Sequence, residues 1–202
     1  MKNGRKSSQF RSDKVLSQET KNHIELGVAS IIKSVKEFVD EDGTLNSPIR
    51  VSKMYEELLS GYLIESDELL NNALFDVEYD EMVIVKGVDF YSLCEHHMLP
   101  FYGKAHVGYT PQKKIVGLSK IPRIIEMYAR RLQVQERMTQ QIASFLFKHV
   151  DPIGVGVVIE AQHLCAAMRG IKKPNTIMIT SALLGHFKSN SATREEFMSH
   201  VR

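Results

Sequence analysis

Gly103-Lys104-Ala105-His106-Val107-Gly108-Tyr109 is the stretch on which the reading of this chain turns. Ala105, Val107 and Tyr109 alternate with Lys104, His106 and Gly108, so an extended chain here is apolar on one face and polar on the other. Thr110-Pro111, followed by Gln112 and two lysines, breaks the run and predicts a hairpin turn into Ile115-Val116-Gly117. Upstream, Met82-Val83-Ile84-Val85 reads as a buried strand, and residues 153–163 and 176–184 read as two more. Between these strands helical spacing returns, over about 120–132 and 135–149. In the second of these helices Met138, Ile142, Phe145 and Leu146 share one face.

Toward the N-terminus the period is helical. From Gln18 onward Ile24, Val28, Ile31, Ile32, Val35 and Phe38 recur on one side, and the helix is expected to stop near Asp40–Gly43. A second helix is marked by Ser47 as N-cap, Pro48 at the first helical position and Gly61 past the end, with Val51, Met54 and Leu58 as its core face. Thr193 with Glu196 three places on is a capping box that announces a C-terminal helix. Strands grouped around two central helices predict an α+β domain with an antiparallel sheet, the N-terminal helices forming a separate layer. The expected divisions are a basic leader over 1–17, a helical extension over 18–73 and a sheet-bearing domain over 74–202.

Charge narrows the function. Five of the 26 basic residues and one of the 24 acidic ones fall in residues 1–14, which leaves a folded body of 21 against 23. A body that is slightly acidic does not fit a nucleic-acid-binding fold, which carries its basic excess on the fold itself. No run of about 18 apolar residues occurs, so no membrane span is expected, and the first residues lack the apolar core of an export signal. Two cysteines in such a chain fit a reduced, cytoplasmic setting, where metal binding or catalysis is a better use for them than a disulfide.

Ser92-Leu93-Cys94-Glu95-His96-His97-Met98-Leu99-Pro100-Phe101 sets four candidate ligands side by side in an irregular loop after a strand. Cys94 and His97 are three apart, so one turn of chain can present sulfur and imidazole to one ion. Far downstream, His163-Leu164-Cys165 closes another predicted strand, where residues two apart point into the same space. Thiolate and imidazole together suit zinc. Three protein ligands leave a position for water and make a catalytic site, whereas four close the shell. Both counts are open at this level, because His96 and His163 are spare.

These same residues carry a resemblance. Cys94-Glu95-His96-His97, Pro100-Phe101-Tyr102-Gly103 and Tyr109-Thr110-Pro111 look like the signature of the GTP cyclohydrolase I family. So do Gly117-Leu118-Ser119-Lys120, Arg123, Gln135-Glu136-Arg137, Gln140-Gln141-Ile142, Glu160-Ala161-Gln162-His163-Leu164-Cys165 and Met168-Arg169-Gly170. Thr180-Ser181, Leu184-Gly185, Phe187 and Arg194-Glu195-Glu196-Phe197 complete a match over roughly 47–198. The resemblance implies the tunnelling fold: a four-stranded antiparallel sheet with two helices on one face, joined edge to edge into rings, commonly a homodecamer of two pentamers with ligands at subunit interfaces. It implies zinc as cofactor, GTP as substrate, and hydrolysis at C8 of guanine to formate and 7,8-dihydroneopterin triphosphate.

Carried over by residue, the resemblance makes Cys94, His97 and Cys165 the zinc ligands and His163 the proton carrier beside them. His96 and Ser119 would serve later proton transfers. Glu136 would recognise guanine, with Gln135 next to it in the base pocket. A carboxylate can accept N1–H and N2–H of guanine together. Ser119, Lys120, Arg123 and Arg169 would handle triphosphate and ribose, and Arg50 a further phosphate. The segment 42–48, Ala166-Ala167 and His186 depart from the family's usual pattern. Two other readings stay in play: an NADPH-dependent nitrile reductase of the same fold, and a non-catalytic ring with structural zinc.

Overall fold

Ser17 opens the first helix: its hydroxyl accepts from the Thr20 amide at 3.1 Å, and α1 runs Gln18–Ser34. This is a computed structural model that describes residues 16–70 and 73–202, so most of the expected leader lies outside the described residues. Two compact units divide the chain, one ending at Ile64 and one spanning Glu65–Arg202. In the first, α1 ends earlier than its apolar spacing predicts, because Lys36–Phe38 tighten into a 3-10 turn and leave Phe38 86% exposed. A single turn, α2 (Glu41–Thr44), is capped by Asp40. Helix α3 is Ser47–Leu58, with Asn46 rather than Ser47 at its cap position and no side-chain cap bond there. Pro48 in its first turn needs no partner for a missing N–H. The expected core face is thin: Val51 and Leu58 are half-buried, and Met54 is exposed. Lys21 and Glu56, 2.7 Å apart, tie α1 to α3, and a 3-10 turn over Ser60–Leu63 ends the unit.

The second unit opens with α4 (Ser66–Leu70) and then β1 (Leu74–Asp76), β2 (Val83–Cys94), β3 (Pro100–Thr110) and β4 (Lys114–Val116). Next come α5 (Lys120–Ala129), β5 (Leu132–Gln133), α6 (Gln135–Val150), β6 (Gly154–His163) and α7 (Leu164–Ala167). Last are β7 (Met178–Gly185), α8 (His186–Ser189) and α9 (Ser191–Val201). The domain is α+β. Its main sheet has five strands, in the order β5-β2-β3-β6-β7, rather than four. Four are long and antiparallel; β5 adds a two-residue parallel edge, Leu93 facing Leu132 and Cys94 facing Gln133. A two-residue strand is too short to show a period, which is why the sequence reading passes over it.

The turn after Thr110 does not return β4 onto β3. β4 pairs instead with β1 in a separate two-stranded sheet, Phe75 against Ile115. The C-terminal helix starts earlier than the capping box indicates, because Asn190 rather than Thr193 caps it, accepting from the amides of Ala192 and Thr193.

Register sorts the strand residues onto two faces. Phe90, Ala105, Val107, Val157 and Ile159 point to the side where α5 packs on β2 and α6 on β6 and β7. Ile121 and Ile124 of α5 and Ile142 and Leu146 of α6 are essentially inaccessible to solvent. The opposite face is covered at one end by Phe187 and Phe197, which cluster with Val158 and Val201. Gly108 and Gly156 make room for them: a Cβ on Gly156 would lie 2.6 Å from the Phe187 ring. His106 and Gly108 are therefore buried although the strand reads as half-exposed. β2 is kinked by a bulge between Val85 and Val88, where Gly87 takes φ +76. Among the described residues no helix is long and apolar enough to cross a membrane.

Candidate metal centre and catalytic pocket

Three chain segments end at one point. β2 delivers Cys94, β6 delivers His163, and the turn α7 that follows β6 carries Cys165. Cys165 thus joins His163 through a helical turn rather than through strand alternation as expected, because the strand stops at His163. After Cys94 the chain folds back tightly: the Met98 amide donates to Cys94 O at 2.7 Å and the Cys94 amide to Leu99 O at 2.9 Å. Met98 takes a left-handed φ of 54 to close this loop. The loop turns His97 toward the sulfurs. The ligand atoms of Cys94, His97 and Cys165 all lie within 4.8 Å of one another. His96 lies beside them, its Nδ1 3.8 Å from the Cys94 sulfur, but it is not one of this group.

A pocket of ≈ 200 Å³ opens at the cluster, lined among others by Gln135, Glu136, His163 and Met178. Burial pushes the Cys165 thiol up, and the neighbouring Cys94 adds to it. Burial also lowers the His163 pKa, with the Glu136 carboxylate pulling the other way. The ring of His163 stacks flat on Phe101, 4.7 Å between centroids at 4°. Its Nε2 is 2.8 Å from Oε1 of Gln135, which is completely buried at the start of α6.

The loop is also tied from outside. Arg137 donates twice to the Glu95 carboxylate, at 2.6 and 2.8 Å, and holds that carboxyl below its usual range. Glu95 N donates to Gln133 O at 3.0 Å, so the β5 edge holds the same loop. Gln133, Phe101 and the Glu95–Arg137 pair carry no role in the sequence reading. Only the neighbourhood of each in sequence, next to Gln135, Pro100 and Cys94, pointed toward them.

Ser119, Lys120, Arg123 and Arg169 are not among the residues that line this pocket, though the Arg169 guanidinium acts on Cys165 and opposes the rise of its pKa. Ser119 is exposed at the N-cap position of α5 without a side-chain cap bond. Lys120 is buried and donates to Leu69 O at 2.7 Å, and burial followed by Arg123 lowers its pKa. Arg123 is half-buried on α5. Arg169 is exposed after α7, and Arg50 is exposed on α3 of the first unit.

Residues 24–202 match the family described as GTP cyclohydrolase I. A Campylobacter jejuni protein named GTP cyclohydrolase 1 is 55% identical over 174 residues, 86% of this chain and 92% of its own. Proteins of the same name from Leptospira biflexa and Methylococcus capsulatus are 51% and 52% identical, covering 87% and 86% of this chain and 96% and 94% of their own. Among solved structures, an archaeosine synthase QueF-Like protein in the apo form aligns with a TM-score of 0.41 at 17% identity, over 52% of this chain and 93% of that one.

Proposed function

The chain belongs to the GTP cyclohydrolase I family, and from that premise we propose that Cys94, His97 and Cys165 hold one zinc ion beside the guanine of bound GTP. It is an enzyme of the GTP cyclohydrolase I type, and GTP is the substrate the family implies. The observation that carries the metal is the donor set: two thiols and one imidazole within 4.8 Å. Tetrahedral zinc with sulfur at about 2.3 Å and nitrogen at about 2.0 Å needs ligand atoms roughly 3.5–3.8 Å apart, a small contraction from that span. Sulfur donors exclude magnesium and calcium as natural occupants, and three protein donors leave a position for solvent. Zinc bound there supplies Lewis acidity that makes water a nucleophile near neutral pH.

The chain's own groups do the rest. His163 delivers a proton toward N7 as C8 is attacked and takes one back as formate leaves. Glu136, exposed in the first turn of α6, accepts N1–H and N2–H of guanine, with Gln135 behind it. His96 and Ser119 serve the later proton transfers of ribose rearrangement. Lys120, Arg123, Arg169 and Arg50 hold triphosphate and ribose, and the triphosphate is not cleaved. Lys120 and Arg123 are not among the residues lining the metal pocket of their own chain, which supports a site shared between copies. The tunnelling fold supplies such sharing, since β7 ends the sheet and leaves an edge open to a partner. The assembly is then a ring, a homodecamer of two pentamers, in the cytoplasm, with residues 18–73 as helical extension and 74–202 as catalytic domain. Neither nucleic acid nor membrane is a partner.

Formate release tests the reading. Zinc-loaded protein and GTP, with no NADPH present, are expected to yield one formate per GTP. No formate means the activity is absent, and a reaction that requires NADPH assigns the site to the reductase. Glu136→Ala is expected to erase the preference for GTP over ATP; an unchanged preference removes it from guanine recognition.

A further inference from the structure

Gln135 has no exposed surface, and each end of its amide is spoken for. Nε2 lies 3.0 Å from Ile159 O and 3.0 Å from Met178 O, two backbone carbonyls that can only accept. That end is therefore the NH2 group, since a flipped amide would press oxygen against two oxygens. The neighbouring hydroxyls agree. Thr139 Oγ1 donates to Gln135 O at 2.7 Å, so in the 2.7 Å contact between Thr139 and Thr180 the Thr180 hydroxyl is the donor. Thr180 Oγ1 is left to accept from Gln135 Nε2 at 3.1 Å.

Oε1 of Gln135 consequently faces Nε2 of His163, 2.8 Å away, and an amide oxygen can only accept. Nε2 must carry hydrogen in the neutral ring and in the cation alike. Stacking on Phe101 fixes the plane of the ring about this bond. We propose that Gln135 is a positioning residue that locks His163 as its Nε2–H tautomer, so that Nδ1 is the atom through which this imidazole gives and takes protons. The proposal rests on the reading of His163 as proton carrier. It also moves Gln135 from contact with the base to control of the histidine, because the residue has no exposed surface and its NH2 end is taken by backbone carbonyls.

Two measurements test it. Magic-angle-spinning NMR of the zinc-loaded protein labelled with 15N-histidine, with the His163 signals identified by their loss in His163→Asn, reads the tautomer directly. A proton bonded to Nε2 and a bare Nδ1 in the neutral ring are expected; a proton on Nδ1 overturns the proposal. This readout needs no altered Gln135 and no turnover, so it stands or falls separately from formate release by the unaltered protein. Gln135→Met keeps the volume and removes the acceptor. Its kcat for formate release is expected to fall about 100-fold, the scale of a misdirected acid–base group, with KM for GTP and zinc content within about twofold of the original. A raised KM with kcat unchanged makes Gln135 a substrate contact and overturns the proposal.

Discussion

Cys165 starts from an unfavourable position as a candidate metal ligand, since burial first and Cys94 second hold its thiol above the usual cysteine range. A metal ion has to displace those protons, so zinc uptake releases acid and weakens as pH falls. Alanine in place of Cys94, His97 or Cys165 is expected to remove zinc and formate release together. Atomic absorption on the purified variant checks the first and a formate assay the second; a variant with full zinc and a normal rate leaves the shell. His106 titrates for a different reason. It is 2% exposed with Nδ1 lacking a hydrogen-bond partner, while Nε2 meets Glu160 at 3.1 Å. Burial lowers its pKa, Glu160 opposes that, and Lys86 and Lys104 reinforce it. The unfolded chain then binds a proton more readily than the folded one, so the stability from a neutral His106 is complete above about pH 6.5 and drains away below it. The melting temperature is expected to fall between about pH 7 and pH 5, and to fall less in His106→Gln; His163, also depressed, keeps the slope from vanishing. Equal slopes in the two proteins would assign the effect elsewhere.

At the scale of elements, the loop after β2 owes its shape to bonds from both sides, and this is where the sequence reads unevenly. β3 and the two central helices were legible because they hold one period, as in Pro100–Thr110 and Gln135–Val150, whereas β2 was read only over Met82–Val85 because the bulge before Val88 breaks its alternation. The partner of Lys114–Val116 was not, since three residues carry no sign of whether they fold back on β3 or across to Leu74–Asp76. Cys94, His97 and Cys165 were legible from ligand chemistry, but the route from His163 to Cys165 depended on where β6 yields to a helical turn, which no spacing rule marks. Glu95–Arg137 was hidden in the same way, joining residues 42 positions apart. Exposed ion pairs contribute little to global stability, so its effect belongs with the metal loop it anchors. Glu95→Gln is expected to leave the melting temperature of the metal-free protein nearly unchanged while weakening zinc binding about tenfold, as loss of an outer contact behind metal ligands does. Competition with a chromophoric chelator measures this, and unchanged zinc affinity would make the pair a surface feature only.

The whole chain presents an incomplete surface. In the first unit Leu26, Ile31, Phe38 and Leu45 are each 68% exposed or more, and the described residues there bury little beyond Ser52 and Gly61. In the second, β7 is the last strand of the sheet among the described residues, and Lys120 and Arg123 are not among the residues that line the metal pocket. A site completed by a neighbouring copy accounts for all three features, and it makes a prediction no single-chain site can imitate. On the proposed assignments Cys165→Ala would lack the metal and Arg123→Ala a phosphate contact, and each alone is expected to be inactive. If metal pocket and phosphate cations of one working site come from different chains, co-expressing the two variants rebuilds intact sites wherever a sound metal pocket meets a sound cation. Random mixing in equal amounts restores about a quarter of the activity, because two independent choices must both be right at each head-to-tail interface. Separately purified variants mixed without subunit exchange restore none. Activity from neither arrangement, with rings formed in both, would place every group of the site on one chain.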